Sequence, residues 1–394
     1  MVPLLGLAVI INYIDRGALG VAAPLLKDEF HLSATALGLI TSAFFLSYAP
    51  GQVFAGWLCE RIGPYVTLTL GAVIWSAATA LSGLAPSFAA LLGLRVILGV
   101  GESAAFPASS SIIAAHLPAH RKGFANGLVM SGTALGPAAG AFAGGLMMAA
   151  WGWRLAFVVF GLLSLLWLAP WALAARGQAR REVPQHAGRS PSVMDVVRRP
   201  ELWGAIAGHL AFNFTFYFFI IWAPLFLVKD RGFSMSRMAV VGAQIYLTYA
   251  VSLLALGAMS DGLIARVGRA GLIYKLMLVI GFGVVAASFG LAAVGHGPMG
   301  IAGLFGAAIG FGALTPSNYS LGQTLAGPRA GGVWMGLQNG IGNVGGIIGP
   351  VVVGMILDSA AGWDGAFAAA SAIAVTGAAS WILLVGKVEP IDWQ

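Results

Sequence analysis

The stretch GWLCERIG, residues 56–63, joins two apolar segments that are each long enough to cross a bilayer. A related stretch, GAMSDGLIARVG, stands at 257–268, and its first glycine lies 201 residues after Gly56. Glycine lets helices approach closely, an acid can accept hydrogen bonds at the start of a neighbouring helix, and an arginine can pair with that acid. Two such loops predict an internally repeated helical protein in which each loop latches neighbouring helices; a solvated charge cluster is the alternative for each. The residues assigned to this gating-loop motif are Gly56, Glu60, Arg61, Gly63, Asp261 and Arg266.

The composition excludes an ordinary soluble domain. Of the 394 residues, 59% are hydrophobic and 9% are charged, whereas soluble proteins carry about 25% charged residues. A mean hydropathy of +0.88 over this length is typical of a polytopic helical membrane protein. The net charge of +7 comes from basic residues in short loops between apolar spans, which fits membrane orientation rather than nucleic-acid binding. The single cysteine, Cys59, excludes an internal disulfide.

Twelve segments are apolar and long enough to be transmembrane helices, at about 20 residues for each crossing. The first contains Asp15 and Arg16, so we expect it to be a span rather than a cleavable signal sequence. The predicted spans are 3–26, 34–58, 66–85, 88–115, 123–149, 154–175, 202–228, 238–260, 270–294, 298–325, 332–357 and 364–386.

The longest break between spans, residues 176–200, is polar, basic and proline-containing. It predicts an N-terminal six-helix bundle at 1–175, a cytoplasmic loop at 176–200 and a C-terminal six-helix bundle at 201–394. Matched residues recur in the same direction in both halves, so the two bundles are parallel repeats around a central cavity, in an all-α membrane protein. The matches include Asn12 with Asn213, Lys27-Asp28 with Lys229-Asp230, Phe106-Pro107 with Thr315-Pro316, and Trp153 with Trp363.

The basic residues outside the span interiors predict the orientation of the chain in the membrane. With residues 176–200 in the cytoplasm, 14 lysine and arginine side chains lie on the cytoplasmic side, including Lys275 just within the ninth span, and 5 on the other. The positive-inside rule then places both termini in the cytoplasm.

Four charged side chains lie well inside predicted spans of the first half. Asp15 and Arg16 are adjacent in the first, and Arg95 and Glu102 lie seven residues apart in the fourth, about 10 Å along one helix face. A charge at the bilayer centre costs about 3 kcal/mol or more, so such residues face protein or water and mark function. The alternative is that each acid only neutralises an arginine to stabilise helix packing.

The second half of the chain lacks these charges, which favours a role in transport. Phe216 and Tyr217 stand at the positions of the first charged pair, and apolar or small residues around Leu304 and Phe311 stand at those of the second. Ionic pairs that served only to hold six helices together would be expected in both halves. An arginine offers a planar donor fork to a carboxylate. We therefore expect an arriving anion to compete with Asp15 for Arg16, so that the anion and a proton move in the same direction.

Polar side chains in otherwise apolar spans are further candidates for the cavity wall. They lie in the aromatic-rich seventh span, in the TPSNYS stretch of the tenth, and in the glycine-dense fifth and eleventh spans, where small residues suit close helix crossing. For each, helix packing or a hydrogen bond between helices is the alternative. The candidates are Asn213, Tyr217, Asn318, Tyr319, Thr133 and Asn339.

Together, NYIDRGALGVA (12–22), LRVILGVGESAAFP (94–107) and the two loop stretches resemble the anion:cation symporter branch of the major facilitator superfamily. This branch includes bacterial galactonate, glucarate and hexuronate carriers and vesicular and lysosomal organic-anion carriers. The resemblance covers essentially the whole chain and implies the major facilitator fold. The loop match departs from the family pattern at Glu60, where aspartate is usual, and at Pro64-Tyr65, where a basic pair is usual.

The resemblance also implies roles for individual residues. The protonation sites of the bacterial sugar-acid carriers match Asp15 and Glu102, the ligand of the substrate carboxylate matches Arg16, and Arg95 is implied as a charge partner. Tyr48 and Asn339 match a family tyrosine and asparagine in the second and eleventh helices. Thr133 stands where the galactonate carriers have a glutamine, so a carboxylate with fewer hydroxyl groups than a sugar acid is a further option.

The leading hypothesis is an importer that moves an organic carboxylate together with protons by alternating access. It needs no metal or cofactor, works in the lipid bilayer as a monomer, and is expected in the inner membrane of a bacterium. An anion exchanger, a uniporter or an exporter on the same fold are the alternatives. The six histidines are scattered and lack metal-ligand spacing, which argues against an intramembrane enzyme; a membrane receptor is a further alternative.

Overall fold

The computed structural model describes residues 1–116, 119–176, 192–295, 298–386, 388–389 and 391–393. At positions 60, 114–116, 119–127, 328–329 and 331–333 it describes the backbone alone. Within these ranges the chain forms helices and short connections, without a β-strand. The α-helices are α1 Val2–Glu29, α2 Ala34–Ile62, α3 Pro64–Ser82, α4 Phe88–Glu102, α5 Ala105–His116, α6 Ala119–Ala139, α7 Gly145–Ala175, α8 Val193–Val197, α9 Pro200–Leu225, α10 Met235–Val267, α11 Ala270–Val294, α12 Pro298–Gly342, α13 Val344–Asp358 and α14 Gly362–Leu383.

Eleven helical runs in the described part of the chain are long and apolar enough to cross a membrane. One of them, Leu128–Ala175, has 48 residues and accounts for two of the twelve predicted crossings. It turns at Gly152 (φ 81°, ψ 166°), between the predicted fifth and sixth spans. α12 turns in the same way at Gly327 (φ 62°), between the tenth and eleventh. Both turns need a positive φ, which glycine adopts without steric cost.

The fourth predicted span is interrupted between α4 and α5, directly after Glu102. Pro107 has no backbone N–H, so the carbonyl of Ser103 cannot be bonded in the usual helical way. The backbone tightens just before it, where Ala104 N donates to Gly101 O at 3.4 Å. The proline therefore places Glu102 at a break in its helix rather than in an unbroken turn.

The eleventh predicted span is also interrupted. α12 ends at Gly342 and α13 begins at Val344. Gly349-Pro350, a pair that can bend a helix, lies inside α13, and the break lies one to two turns earlier, at Asn343. Each half of the chain therefore has a discontinuous span.

Glycines bring α1 into backbone contact with α6 and with the π-helical turn Gly140–Gly144 that follows it, as the glycine-dense pattern predicts. A Cβ at Gly132 would lie 2.8 Å from Ile10 N, one at Gly136 would lie 2.6 Å from Ile10 O, and one at Gly140 would lie 2.7 Å from Ile14 O. The three glycines follow one another at four-residue spacing and form a flat strip. This strip sets the distance between α1 and its neighbour.

Glycines also bring α13 into close contact with α9 in the second half. A Cβ at Gly345 would lie 2.7 Å from Leu210 O, and one at Gly349 would lie 3.0 Å from the ring of Phe214. Both glycine-dense helices thus pack closely against the first helix of their own half.

The chain forms two compact units, Met1–Gln185 with Ile220–Tyr246, and His186–Phe219 with Leu247–Gln394. The first unit contains α1–α7 together with the end of α9 and the start of α10. The division into two six-helix bundles at 176–200 stays a prediction. Residues 177–191 of that loop lie outside the described residues, and the part that follows contains the short helix α8, which begins with a capping box between Ser192 and Asp195.

Candidate functional site

A buried ion pair joins α1 to the end of α4. Arg16 Nε and Nη2 lie 3.2 and 3.1 Å from Oε2 of Glu102, and Nη2 also donates to Asn12 Oδ1 at 3.3 Å. Glu102 is completely buried and Arg16 is 8% exposed. Asn12 lies one helical turn before Arg16 on the same face of α1, so α1 itself positions both the cation and its amide acceptor.

Aromatic rings from α1 and α2 enclose the Arg16 guanidinium. Its central carbon lies 4.4 Å from the centre of the Tyr13 ring, 4.6 Å from Tyr48, 4.8 Å from Phe44 and 5.9 Å from Phe45. Planar stacking of this kind suits arginine and not lysine. Tyr48, which was predicted to bind substrate, is therefore in direct contact with the predicted substrate cation.

Asp15 has a different partner from its sequence neighbour. It is 1% exposed, and its Oδ2 accepts a hydrogen bond of 2.7 Å from Thr79 Oγ1 on α3. Asp15 acts on Arg16 electrostatically, and its expected competition with an anion for Arg16 stays a prediction. Consecutive residues of a helix point in different directions, and the carboxylate that Arg16 holds is that of Glu102.

Arg95 is the second buried arginine of the first unit, and it is 2% exposed. Its guanidinium carbon lies 5.3 Å from the centre of the Phe157 ring. Asp15 and Glu102 act on it electrostatically, but within the described residues no acid approaches it to 4.0 Å and its Nε and Nη2 have no hydrogen-bond partner. Arg95 therefore interacts with the two acids at longer range than Arg16 interacts with Glu102. Its role as a charge partner stays a prediction.

The first unit thus holds two acids, one amide and one arginine whose hydrogen bonds are incomplete within the described residues. Asp15 Oδ1, Glu102 Oε1, Asn12 Nδ2 and two nitrogens of Arg95 are buried without a partner in the described part of the chain. Each such group costs about 1–3 kcal/mol, and folded proteins keep few of them. A cluster of unused donors and acceptors can accept a polar guest and exchange protons.

The second unit gathers three predicted residues around a histidine. Asn318 Nδ2 lies 2.7 Å from His209 Nδ1, the Tyr319 ring meets the imidazole edge-on at 5.7 Å between centroids, and Asn339 interacts with the same side chain. His209 is fully buried in the interior of α9. Sequence reasoning assigned it no role because it could have stood near a helix end. Gln338 is a further member, with Nε2 3.3 Å from His209 Nδ1.

Three other predicted residues take up contacts within the protein. Asn213 Nδ2 donates to Asn343 Oδ1 at 3.4 Å, and the Tyr217 ring packs against Phe216. The Thr133 hydroxyl donates to the backbone oxygen of Met130 at 2.8 Å, within its own helix. Their predicted contacts with a substrate stay predictions.

These helices and sites correspond to a known family. The model of the Major Facilitator Superfamily matches residues 5–350 of the chain. The chain belongs to this superfamily. It is therefore an integral membrane transporter and not an enzyme.

Relatives within the Major Facilitator Superfamily match the chain over almost its whole length. A hexuronate transporter of Bacillus subtilis (strain 168) is 29% identical, covering 94% of this chain and 90% of the relative. A D-galactonate transporter of Escherichia coli O6:H1 is also 29% identical, covering 98% and 95%. A probable sulfoacetate transporter of Cupriavidus necator is 29% identical, covering 93% and 89%.

A solved structure shares the superfamily fold. It is a bacterial homologue of the human lysosomal transporter Spinster in an inward-facing and occupied conformation. The TM-score is 0.78 at 22% sequence identity, over 97% of this chain and 95% of the other. At this identity the likeness is one of fold.

The backbone of the gating-loop motif shows why each copy, 56–63 and 257–268, ends in glycine. Gly63 (φ 89°) and Gly268 (φ 71°) end the two copies in the left-handed region, where a side chain would be strained. The close packing expected at Gly56 is wrong, because a Cβ there would meet no described atom within 4 Å.

Among the loop charges whose side chains the structure describes, none forms an ion pair. Arg61 lies over the Trp57 ring at 5.4 Å. Asp261 and Arg266 are exposed, and within the described residues neither takes part in an ion pair or hydrogen bond. The side chain of Glu60 lies outside the described residues. The gating role of the motif stays a prediction.

Two important residues were missed in the first unit. Asn12 carried a signal, since an amide inside a span lies one turn from Arg16. Thr79 carried none, because hydroxyl groups in membrane helices usually bond their own backbone and only the packing of α3 against α1 brings it to Asp15.

Proposed function

We propose that this transporter imports an organic carboxylate anion together with protons by alternating access. The observation that carries the proposal is the buried Arg16–Glu102 pair inside a ring of aromatic side chains. The names of the relatives support an organic anion, such as a sugar acid or a small mono- or dicarboxylate.

The exchange of partners at Arg16 provides the coupling. Two nitrogens of Arg16 converge on one oxygen of Glu102, and a substrate carboxylate can occupy the same fork. Glu102 then loses its cation in a buried place, where an unpaired charge is costly. It takes up a proton, and the neutral acid no longer competes for Arg16. Anion and proton therefore enter and leave the site together.

Asp15 is proposed as a second proton-coupling residue. It is buried, it is bonded to a neutral hydroxyl rather than to a cation, and its Oδ1 is unused. Arg95 interacts electrostatically with both acids, so a proton gained by one changes the charge balance felt by the other.

The loops support the proposed orientation of the transporter. The excess of basic residues on one side places both termini in the cytoplasm, and we assign the protein to the inner membrane of a bacterium. Protons are the coupling ion, a monomer is sufficient, and no cofactor is needed.

The test compares Glu102→Gln with the unaltered protein in proteoliposomes. The probes are a hexuronate, D-galactonate and sulfoacetate, each with and without an inward proton gradient. Glutamine is neutral and cannot exchange a proton, so the variant is expected to lose gradient-driven accumulation while it still exchanges labelled for unlabelled anion.

The matched control is Asp364→Asn, an exposed acid at the start of α14, which should behave as the unaltered protein does. Concentration of anion by Glu102→Gln against a gradient would refute proton coupling at this residue. Uptake by the unaltered protein that ignores an imposed pH gradient would favour an exchanger or uniporter instead.

A further inference from the structure

The side-chain amide of Asn12 has an orientation that follows from its cationic neighbour. An arginine side chain has N–H donors and no acceptor, and Arg16 Nη2 lies 3.3 Å from Asn12 Oδ1. The oxygen is therefore the end of the amide that faces the guanidinium. The other end, Nδ2, is a donor, and it remains for a different partner.

This Nδ2 donor is buried and unused. Asn12 is 1% exposed, and within the described residues its Nδ2 has no hydrogen-bond partner. A buried donor without a partner costs about 1–3 kcal/mol, and folded proteins keep few of them. A neutral donor of this kind, next to the cation of the proposed anion site, suits an uncharged oxygen of the bound molecule.

The internal repeat of the chain provides a comparison for this amide. Asn213 stands 201 residues after Asn12, at the equivalent position of the second half. Its Nδ2 donates to Asn343 Oδ1 at 3.4 Å, and Tyr217 stands in that half where the first has Arg16. An asparagine that served helix packing alone would be expected to use its donor in both halves. Among the described residues, the donor is left over in the half that carries the cation.

The amide also lies next to the place where the anion is proposed to bind. Arg16 Nη2 contacts Glu102 Oε2 at 3.1 Å as well as Asn12 Oδ1 at 3.3 Å. Two acceptors of one nitrogen are neighbours, so an anion that replaces Glu102 at the donor fork lies beside Asn12. In a 2-hydroxy or 2-oxo acid, the oxygen on the second carbon is the polar atom adjacent to the carboxylate. This oxygen can therefore meet the amide while the carboxylate stays on Arg16.

We propose that Asn12 Nδ2 donates a hydrogen bond to an oxygen on the second carbon of the transported carboxylate, and that it selects 2-hydroxy and 2-oxo acids over acids without that oxygen. This inference rests on the proposed function, since it concerns the same substrate and the same cation. Asn12, Arg16 and Glu102 all belong to the first unit. Asn12 then has two roles, because Oδ1 holds Arg16 in place and Nδ2 binds the substrate.

The first test observes the amide directly in the purified protein. Nitrogen-15 spectra of protein labelled at asparagine show the side-chain Nδ2 signals, and those of Asn12 are the ones lost in Asn12→Asp. Glycolate is expected to shift them more than acetate does, and lactate more than propionate, once each acid is present at saturation. Signals that shift equally for both members of each pair, or that do not shift with an acid that binds, overturn the proposal.

The second test measures affinity without any gradient, by ligand-induced thermal stabilisation. The probes are pairs that differ in the oxygen on the second carbon: glycolate and acetate, lactate and propionate, D-gluconate and 2-deoxy-D-gluconate. The unaltered protein is expected to prefer the oxygen-bearing member of at least one pair. In Asn12→Leu the affinity for that member should fall about tenfold more than the affinity for its partner, because one hydrogen bond is lost.

Two further variants make this test independent of a general loss of structure. Asn12→Asp has the same shape and keeps an oxygen for Arg16 but lacks the N–H donor. Its added charge weakens both members of a pair alike, so the preference between them is the quantity measured, and we expect it to be lost. Thr67→Val is the control, because Thr67 is a buried residue of the same unit whose hydroxyl bonds the backbone oxygen of Gly63. It should leave the preference unchanged.

The outcomes separate this inference from the proposed function. If no pair shows a preference, or if the preference survives in Asn12→Leu and Asn12→Asp, Asn12 only positions Arg16 and the proposal is overturned. Proton-driven uptake without a preference within any pair would sustain the proposed function while it refuted the role of Asn12. A preference that depends on Asn12, with uptake that ignores the pH gradient, would do the reverse.

Discussion

Arg16 is the residue on which the transport site depends, because its donors and its two faces are used by different groups. The edge of the guanidinium binds Glu102 and Asn12, while rings on α1 and α2 cover its faces. The rings hold the group in place without competing for its N–H donors. An anion can therefore replace one acceptor without displacing the cation.

Arg16→Lys is expected to weaken anion binding at least tenfold. A lysine keeps the charge but loses the donor fork and the stacking on Tyr13 and Tyr48. The measurement is thermal stabilisation by the carboxylate that binds the unaltered protein best. Arg237→Lys is the matched control, because Arg237 also lies over a ring, that of Phe233 at 4.0 Å, but is exposed. Binding within twofold of the unaltered protein would remove Arg16 from the site.

Thr79→Val is expected to lower the free energy of unfolding by about 1–3 kcal/mol when Asp15 is ionised, because the buried carboxylate loses its hydroxyl donor. Thr79→Ser should restore most of the loss. Thr376→Val, at an exposed threonine that bonds only its own helix, is the control. Unfolding in detergent by denaturant measures all three. A double change with Asp15→Asn that is simply additive would show that Thr79 and Asp15 do not interact energetically.

At the scale of helices, two features position the sites. Glycine strips set the spacing of α1 against α6 and of α13 against α9. Breaks in the fourth and eleventh spans lie beside Glu102 and His209. Close packing holds the backbone fixed near each site. The break leaves some backbone N–H and C=O groups outside the regular hydrogen bonding of the helix. The two halves use this plan alike although their side chains differ.

The two halves of the chain differ in the side chains at equivalent positions. In place of the charged residues of the first half, the second has Phe216 and Phe311, whose rings meet at 5.3 Å, and the fully buried Leu304. Aromatic packing replaces ion pairing there. This agrees with the inference that charge in the first half serves transport rather than helix association.

Gly136→Val is expected to lower stability by at least 2 kcal/mol, at the upper end of the usual range for overpacking (about 1–3 kcal/mol), because its side chain would enter the backbone of Ile10 and the Cβ of Tyr13. Gly93→Val, on α4, is the matched control, since a Cβ there meets no described atom within 4 Å. Thermal unfolding in detergent compares the two. Equal melting temperatures for the two variants would show that the α1–α6 contact accommodates the larger side chain without loss of stability.

At the scale of the whole molecule, the first unit contains an ion pair between segments far apart in sequence. Lys229 Nζ lies 2.6 and 2.8 Å from the two oxygens of Asp28. Lys229 belongs to the π-helical turn that follows α9, and Asp28 lies at the end of α1. Alternating access requires contacts at each end of the transporter to break in turn, so we expect this pair to hold one end closed.

Asp28→Lys is expected to change the uptake rate by up to about fivefold, because a partly exposed ion pair is worth about 1 kcal/mol at most. The double change Asp28→Lys with Lys229→Asp should return the rate towards that of the unaltered protein. The same exchange at Glu29 and Arg154, an ion pair between α1 and α7, should affect stability rather than rate. If the uptake rate of the double variant is no closer to that of the unaltered protein than the rate of the single variant is, the Asp28–Lys229 pair does not hold that end closed.

Sequence alone reached the level of spans, halves and the buried charges. The twelve spans, the glycine-dense helices that pack closely and the family were all predicted. Tyr48 was predicted to bind substrate, and its contact with Arg16 was not foreseen. Errors and omissions concern partners: Gly56 was expected to be packed, and His209 and Thr79 had no role. Each depends on contacts between segments that are distant in the chain.

What the sequence by itself determined is therefore whatever acts locally along the chain: which segments cross the membrane, and which charges are too costly to place in a bilayer without a function. Only the tertiary structure decided that Arg16 holds Glu102, that Asp15 is left with Thr79, and that three amides and a tyrosine surround His209. The physical reason is that hydrogen bonds and ion pairs extend over about 3 Å. Their partners are chosen by helix rotation and spacing, which arise from packing and cannot be obtained from residue type and position in the chain.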